Sequence, residues 1–207
     1  NFSAGQPDFN TPDNIISAAK SAMDNGLTKY TSGAGMIELR EAICKKVERE
    51  NKIRISPEQV LVSNGEKQSL YLACQVLFEA GDEVIIFSPY WVSFPEFVTL
   101  SDATPVLIDT ESKNNFEPAI NDILNAASVN TKGIIINSPS NPTGSVWSEQ
   151  KIIEILKIAE EKNWTVISDE CYERLVFDQK NTISQKIANN NNLNTEIITC
   201  MSMSKTY

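Results

Sequence analysis

From residue 59 onward the chain alternates short β-branched runs with longer segments of helical period. The runs are Val60-Leu61-Val62, 83–87, 105–108, 133–136, 165–167 and 197–199. They are apolar almost throughout, so they read as strands buried on both faces. Helical periodicity falls between most of them, over 65–80, 92–101, 117–127 and 149–162. The last of these has Ser148 as its cap and Ile152, Ile155, Leu156 and Ala159 on one face. Buried strands separated by helices predict an α/β fold, a mostly parallel sheet with helices on both faces. Ligands of such sheets bind outside the carboxyl ends of the strands, so the chemistry is to be sought just after each apolar run.

Upstream, Thr11 as N-cap, Pro12 at the first helical position and Gly26 as terminator predict a helix over 11–26, and a second amphipathic helix is expected over about 36–50. Lys29 to Gly35 between them reads as an ordered loop, and Asn189 to Asn192 as a polar one.

Composition removes several function classes. A net charge of -9, with no basic cluster interleaved with aromatics, argues against nucleic acid. No apolar run approaches the ~20 residues that cross a bilayer, and the expected setting is cytoplasmic. The four cysteines form no C-x-x-C pair and read as small buried groups. With no histidine, the chain contains neither a Ser-His-Asp triad nor a Cys-His pair, and no metal site is expected.

Five strand ends carry suggestive residues. Gly65-Glu66-Lys67 opens a helix whose free N–H groups suit a phosphate, although the segment reads equally as an ordinary helix start. It fits neither the P-loop nor the dinucleotide spacing. Trp91, after the second run, is either core or rim, or else a platform for a flat ring. Asn141 lies in Asn137-Ser138-Pro139-Ser140-Asn141-Pro142-Thr143-Gly144, a stiff double turn that either aims one amide or merely turns. Asp169 emerges from a buried strand and needs a cationic or N–H partner; an N-cap or salt bridge would satisfy it, and so would a protonated pyridine. Lys205, beside Ser202 and Ser204, is either a solvated surface charge or an amine sheltered enough to attack an aldehyde.

Taken in order, Gly5-Gln6-Pro7-Asp8-Phe9, Lys29-Tyr30 with Gly35 and Glu38-Leu39-Arg40-Glu41, Ser88-Pro89-Tyr90-Trp91-Val92-Ser93, the Asn137 to Gly144 turn, Ser168-Asp169-Glu170 and Ser204-Lys205 resemble the fold-type I aminotransferases of class I/II. The match is to their bacterial aspartate aminotransferase-like subgroup. The resemblance implies pyridoxal 5'-phosphate as cofactor, held covalently by Lys205, which also moves the proton between substrate Cα and cofactor. It implies that Asp169 keeps the pyridine nitrogen protonated, that Tyr172 and Asn141 bond the ring oxygen, and that Trp91 stacks on the ring. The phosphate is implied on the backbone of Gly65, Glu66 and Lys67 with the Ser202 hydroxyl. Tyr30 is implied to reach the phosphate of a neighbouring subunit in a homodimer, and Gly5 to approach the substrate through its backbone. Relatives often carry a small residue in place of Glu66, so its carboxylate is expected to point away from the phosphate.

The implied reaction moves an amino group between an amino acid of the aspartate/glutamate type and a 2-oxo acid. A lyase or decarboxylase of the same fold is an alternative, as is a non-catalytic phosphate-ligand or nucleotide-binding module. Residues 1–35 are expected to form an N-terminal segment with a dimer-contact loop, and 36–207 an incomplete large domain. None of Arg40, Arg49, Arg54 and Arg174 falls where relatives place their carboxylate or phosphate arginines. The expectation is therefore a fragment without the small C-terminal domain, inactive alone.

Overall fold

The computed structural model describes residues 5–177 and 183–207. The first four residues of the expected N-terminal segment lie outside that range. Among the described residues five strands, β1 (Glu83–Ser88), β2 (Thr104–Asp109), β3 (Thr131–Asn137), β4 (Thr165–Asp169) and β5 (Ile197–Cys200), form one sheet in the order β2-β1-β3-β4-β5. Every neighbouring pair is parallel. Parallel strands need crossovers, and four helices supply them: α4 (Ser93–Thr99), α5 (Ile120–Ala126), α6 (Glu149–Lys162) and α7 (Ser184–Asn190), while α3 (Glu66–Leu77) leads into β1.

Alternation along each strand sorts its side chains between two cores. Ile85, Phe87, Ile134, Ile136 and Val166 face one core with Ile123 of α5, Ile155 and Leu156 of α6 and Ile187 of α7. Val84, Ile86, Ile135 and Ile167 face the other, with Leu70 and Cys74 of α3 and Phe94 and Phe97 of α4. Both faces of the sheet are therefore covered, as continuous apolar strands require.

Helices α1 (Asp13–Asp24) and α2 (Ile37–Asn51) precede the sheet. No residue of α1 is buried, whereas Val47 of α2 packs with Ile53 and Ile183. The ion pairs Lys46–Glu173 and Arg174–Glu50 tie α2 to the turn after β4.

Several boundaries differ from those expected. Pro12, not Thr11, is the N-cap of α1; its carbonyl accepts from Ile15 and Ile16, and no side chain caps the helix. Val60-Leu61-Val62 is not a strand of the sheet: Leu61 is exposed, and the Val62 N–H instead donates to Ala34 O at 3.0 Å. The helix expected over 117–127 begins at Ile120, because Pro118 pushes the residue before it out of helical conformation. Helix α3 stops at Leu77, where Phe78 turns its ring into the space left by Gly133; a Cβ there would lie 2.3 Å from the ring. Asn189 and Asn190, read as loop, close the last turn of α7. By contrast, α6 has the expected bounds, with the Ser148 hydroxyl accepting from Lys151 N at 3.2 Å.

Candidate active site

The carboxyl ends of β3, β4 and β5 and the start of α3 converge, because α3 packs across β4 and β5. Register places Asp169 between Asn137 of β3 and Cys200 of β5. The Asp169 side chain is buried and one of its oxygens accepts from Cys171 N at 3.0 Å. Among the described residues no lysine or arginine pairs with it. Desolvation pushes its carboxyl above the usual range, while the Cys171 N–H and Glu66 act in the opposite direction.

Alternation decides which acid faces the site. Ser168 and Glu170 turn towards α7, where the Ser168 hydroxyl donates to Glu170 at 2.9 Å and Ser184 N donates to the same oxygen at 3.1 Å. Asp169 points the other way, to Glu66 at the start of α3. A carboxylate oxygen of Glu66, one of Asp169 and the Sγ of Cys171 lie within 4.8 Å of one another. The Glu66 side chain thus turns inward, away from the free N–H groups of its own helix start. Burial, followed by the charge of Asp169, raises Glu66 from the ordinary 4.5 to about 8. Sequence reasoning identified both acids but not their contact, which no spacing rule between residues 66 and 169 would reveal.

Around this pair the other expected residues fall into place unevenly. Gly65 adopts a left-handed φ of 79° as the N-cap of α3, and no side chain caps the N–H groups that follow. The turn after β3 is braced internally, with Asn141 N donating to the Asn137 side chain at 2.8 Å. Asn141 Nδ2 reaches the Tyr172 hydroxyl at 3.5 Å. Desolvation, then Cys171, Asp169 and Glu66, push the Tyr172 phenol up, so it remains an O–H donor at neutral pH. Gly5 lies beside it; a Cβ at Gly5 would sit 3.8 Å from the Tyr172 oxygen.

Lys205 donates from Nζ to the Gly5 carbonyl, on a turn where Ser204 N donates to the Ser202 hydroxyl at 3.0 Å. Trp91 is half-buried, edge-on to Phe94 and Phe97, with Lys67 Nζ 4.9 Å from its ring centroid. Tyr30 is fully exposed. A cleft of about 250 Å³ opens beside Asn141 and Tyr172, bounded by Pro139, Ser140 and Leu175. All four arginines have other partners: Arg40 donates to Pro57 O, Arg49 and Arg174 pair with Glu50, and Arg54 pairs with Glu48.

A pyridoxal phosphate fits this donor set. Its cationic ring nitrogen matches the buried acid Asp169, and its phosphate matches the uncapped start of α3. Comparison with known proteins finds aminotransferases. The chain is 46% identical over 175 residues to the aspartate aminotransferase of Bacillus sp. strain YM-2, covering 84% of this chain and 45% of that protein. It is 38% identical over 187 residues to the aspartate/prephenate aminotransferase of Thermus thermophilus, covering 90% and 49%. The structure of the Thermus thermophilus aspartate aminotransferase with maleate superposes with a TM-score of 0.93 at 36% identity, over 99% of this chain and 52% of that one. An aromatic aminotransferase from Pyrococcus horikoshii also gives 0.93, at 35% identity over 99% and 54%. The chain spans about half the length of the relatives it matches. A family model, aminotransferase class I and II, matches residues 1–207, and with the parallel sheet and the acid at the end of β4 this establishes that the chain belongs to the class I and II aminotransferase family.

Proposed function

We propose that the protein containing these residues is a pyridoxal-phosphate-dependent aminotransferase working between an aspartate- or glutamate-type amino acid and a 2-oxo acid, as a homodimer. The observation that carries this reading is the buried Asp169, an acid with no cationic partner among the described residues, at the ligand edge of the sheet. The bound cofactor supplies an electron sink for a carbanion at the substrate Cα. In this reading Asp169 accepts the ring N–H and opposes loss of its proton. The neutral Tyr172 donates its O–H towards the ring oxygen, and Asn141 fixes the direction of that phenol. The helix start at Gly65, Glu66 and Lys67 holds the phosphate with Ser202, through the Glu66 and Lys67 N–H groups, while the Gly65 N–H donates to Ser63 O at 2.9 Å and shapes the turn.

Lys205 would be the covalent anchor and, once its amine is freed by substrate, the base that takes the substrate Cα proton and delivers it to the cofactor carbon on the far side of the amino nitrogen. Gly5, whose carbonyl accepts from the Lys205 amine, presents backbone to the substrate beside the Tyr172 hydroxyl. Trp91 flanks the ring, and Tyr30 reaches the phosphate site of the neighbouring subunit. The four arginines are engaged elsewhere, so the fork for the substrate carboxylate is expected outside residues 1–207.

The test uses the full-length protein. Borohydride reduction in the presence of pyridoxal phosphate should fix the cofactor on the Lys205 peptide, and aspartate should transfer its amino group to 2-oxoglutarate. A label found on another lysine, or no transfer from any amino acid, would overturn the reading. Label without transfer, and with carbon dioxide or ammonia released instead, would favour the lyase or decarboxylase alternative.

A further inference from the structure

Glu66 stands at an unusual junction. Its backbone opens α3 at the end of the pocket suited to phosphate, while its side chain runs inward to Asp169 at the end suited to a ring nitrogen. Only 8% of Glu66 is exposed, and its Oε1 meets no hydrogen-bond donor among the described residues. The titratable groups that face it are Asp169, Glu170 and Cys171 from the end of β4, Tyr172 from the following turn and Cys200 from β5. All are acids, so none offers a counter-charge, and an ionised Glu66 would be a second buried anion against the first.

A proton removes the conflict and creates a donor. Asp169 is the better place for the negative charge, because it already accepts the Cys171 N–H; Glu66, without such an N–H, is the better place for the proton. We propose that Glu66 is a positioning residue of the cofactor pocket: a neutral carboxylic acid that donates its proton to Asp169, holding that carboxylate anionic and oriented to receive a cationic ring N–H. The role rests on Asp169 being the partner of the pyridine nitrogen. A carboxylate accepts several hydrogen bonds, so Cys171 N and Glu66 together leave capacity for the ring. Donation by Glu66 also limits how readily Asp169 takes the ring proton for itself. Burial and then the charge of Asp169, with a smaller push from Glu170, keep Glu66 protonated through neutral pH against the Cys171 thiol, whose hydrogen bond favours the ionised form.

Infrared difference spectra of the full-length, cofactor-free protein, wild type against Glu66→Gln, should show at pH 7 a protonated-carboxyl band that the variant lacks. The band should disappear as the pH is raised through about 8. Glutamine keeps an N–H donor in the same shape, so Glu66→Gln should hold pyridoxal phosphate within about threefold of wild type, whereas Glu66→Ala should weaken it about tenfold, the size of one hydrogen bond to a charged group. No band in the wild type, or equal affinities for the two variants, would overturn the proposal. If Glu66→Ala fails to fold, the band and the Glu66→Gln affinity decide: a missing band or a Glu66→Gln loss of tenfold or more overturns it. A band present in a protein that takes no cofactor on Lys205 would retain the shared proton but refute both the proposed function and the role built on it. Cofactor on Lys205 with no band would refute the Glu66 role alone.

Discussion

Lys205 and Gly5 lie 200 positions apart, and the Lys205 Nζ donates to the Gly5 carbonyl. The N-terminal segment is thereby tied to the turn that follows β5, at a glycine that lies beside the Tyr172 hydroxyl. If that amine carries the cofactor and the Cα proton, Lys205→Ala in the full-length enzyme should lower transamination at least about 10³-fold, within the range for removal of a general acid–base group. Steady-state assay of aspartate with 2-oxoglutarate measures it, and substantial residual turnover would remove Lys205 from its role.

Asp169→Ala should reduce the rate of Cα proton removal by about 10²- to 10³-fold while changing substrate affinity far less, because the carboxylate keeps the ring nitrogen cationic and that charge matters most when electrons from Cα flow into the ring. Pre-steady-state kinetics with Cα-deuterated aspartate separates the two quantities. Small and equal losses in both would mean that Asp169 is not opposite the ring nitrogen.

The Glu66 carboxyl also predicts a pH dependence of stability. Its folded value is raised from 4.5 to about 8, so between those limits the folded protein binds a proton that the unfolded chain does not. The associated stability is fully present below about 4.5 and is lost as pH rises through about 8. Urea melts of the cofactor-free, full-length protein should therefore show this term falling with pH across that window, by at most about 1.4 kcal/mol per pH unit. Glu66→Gln should flatten the slope, and an unchanged slope would contradict a protonated Glu66.

The loop before α2 offers a test of packing. Gly35 has a φ of 97°, and a Cβ there would lie 2.7 Å from Val62 Cβ. Gly33, two residues earlier, would meet nothing within 4 Å. Gly35→Ala should cost about 1–3 kcal/mol through backbone strain and overlap, and Gly33→Ala within about 0.5 kcal/mol. Thermal melts of the pair compare them directly; equal shifts would mean that the loop does not rest on Val62.

The strands β1 to β5 were legible as short, nearly unbroken apolar runs, and helix α6 as a periodic segment punctuated by its own cap, Ser148. What escaped depends on contacts between distant segments. Val60 to Val62 has the composition of a strand, yet the described partner of Val62 is the loop at Ala34. The end of α3 at Leu77 follows from Phe78 filling the gap above Gly133, more than fifty residues away. At the site, the carboxyl ends of the strands pointed to Asn141, Asp169 and Lys205, and the resemblance supplied their roles. The Glu66–Asp169 contact was beyond either kind of reading, since it requires knowing that α3 starts against the end of β4.

The split between Asp169 and Glu170 makes β4 sensitive to counting rather than to chemistry. Two consecutive acids serve opposite layers of the molecule, one the ligand edge and the other the start of α7, and only the parity of the strand keeps them apart. A single-residue deletion within β4 would exchange their destinations without removing either charge. Such a change should disable the pocket more completely than many substitutions within it, so this strand resists length variation even where its side chains tolerate replacement.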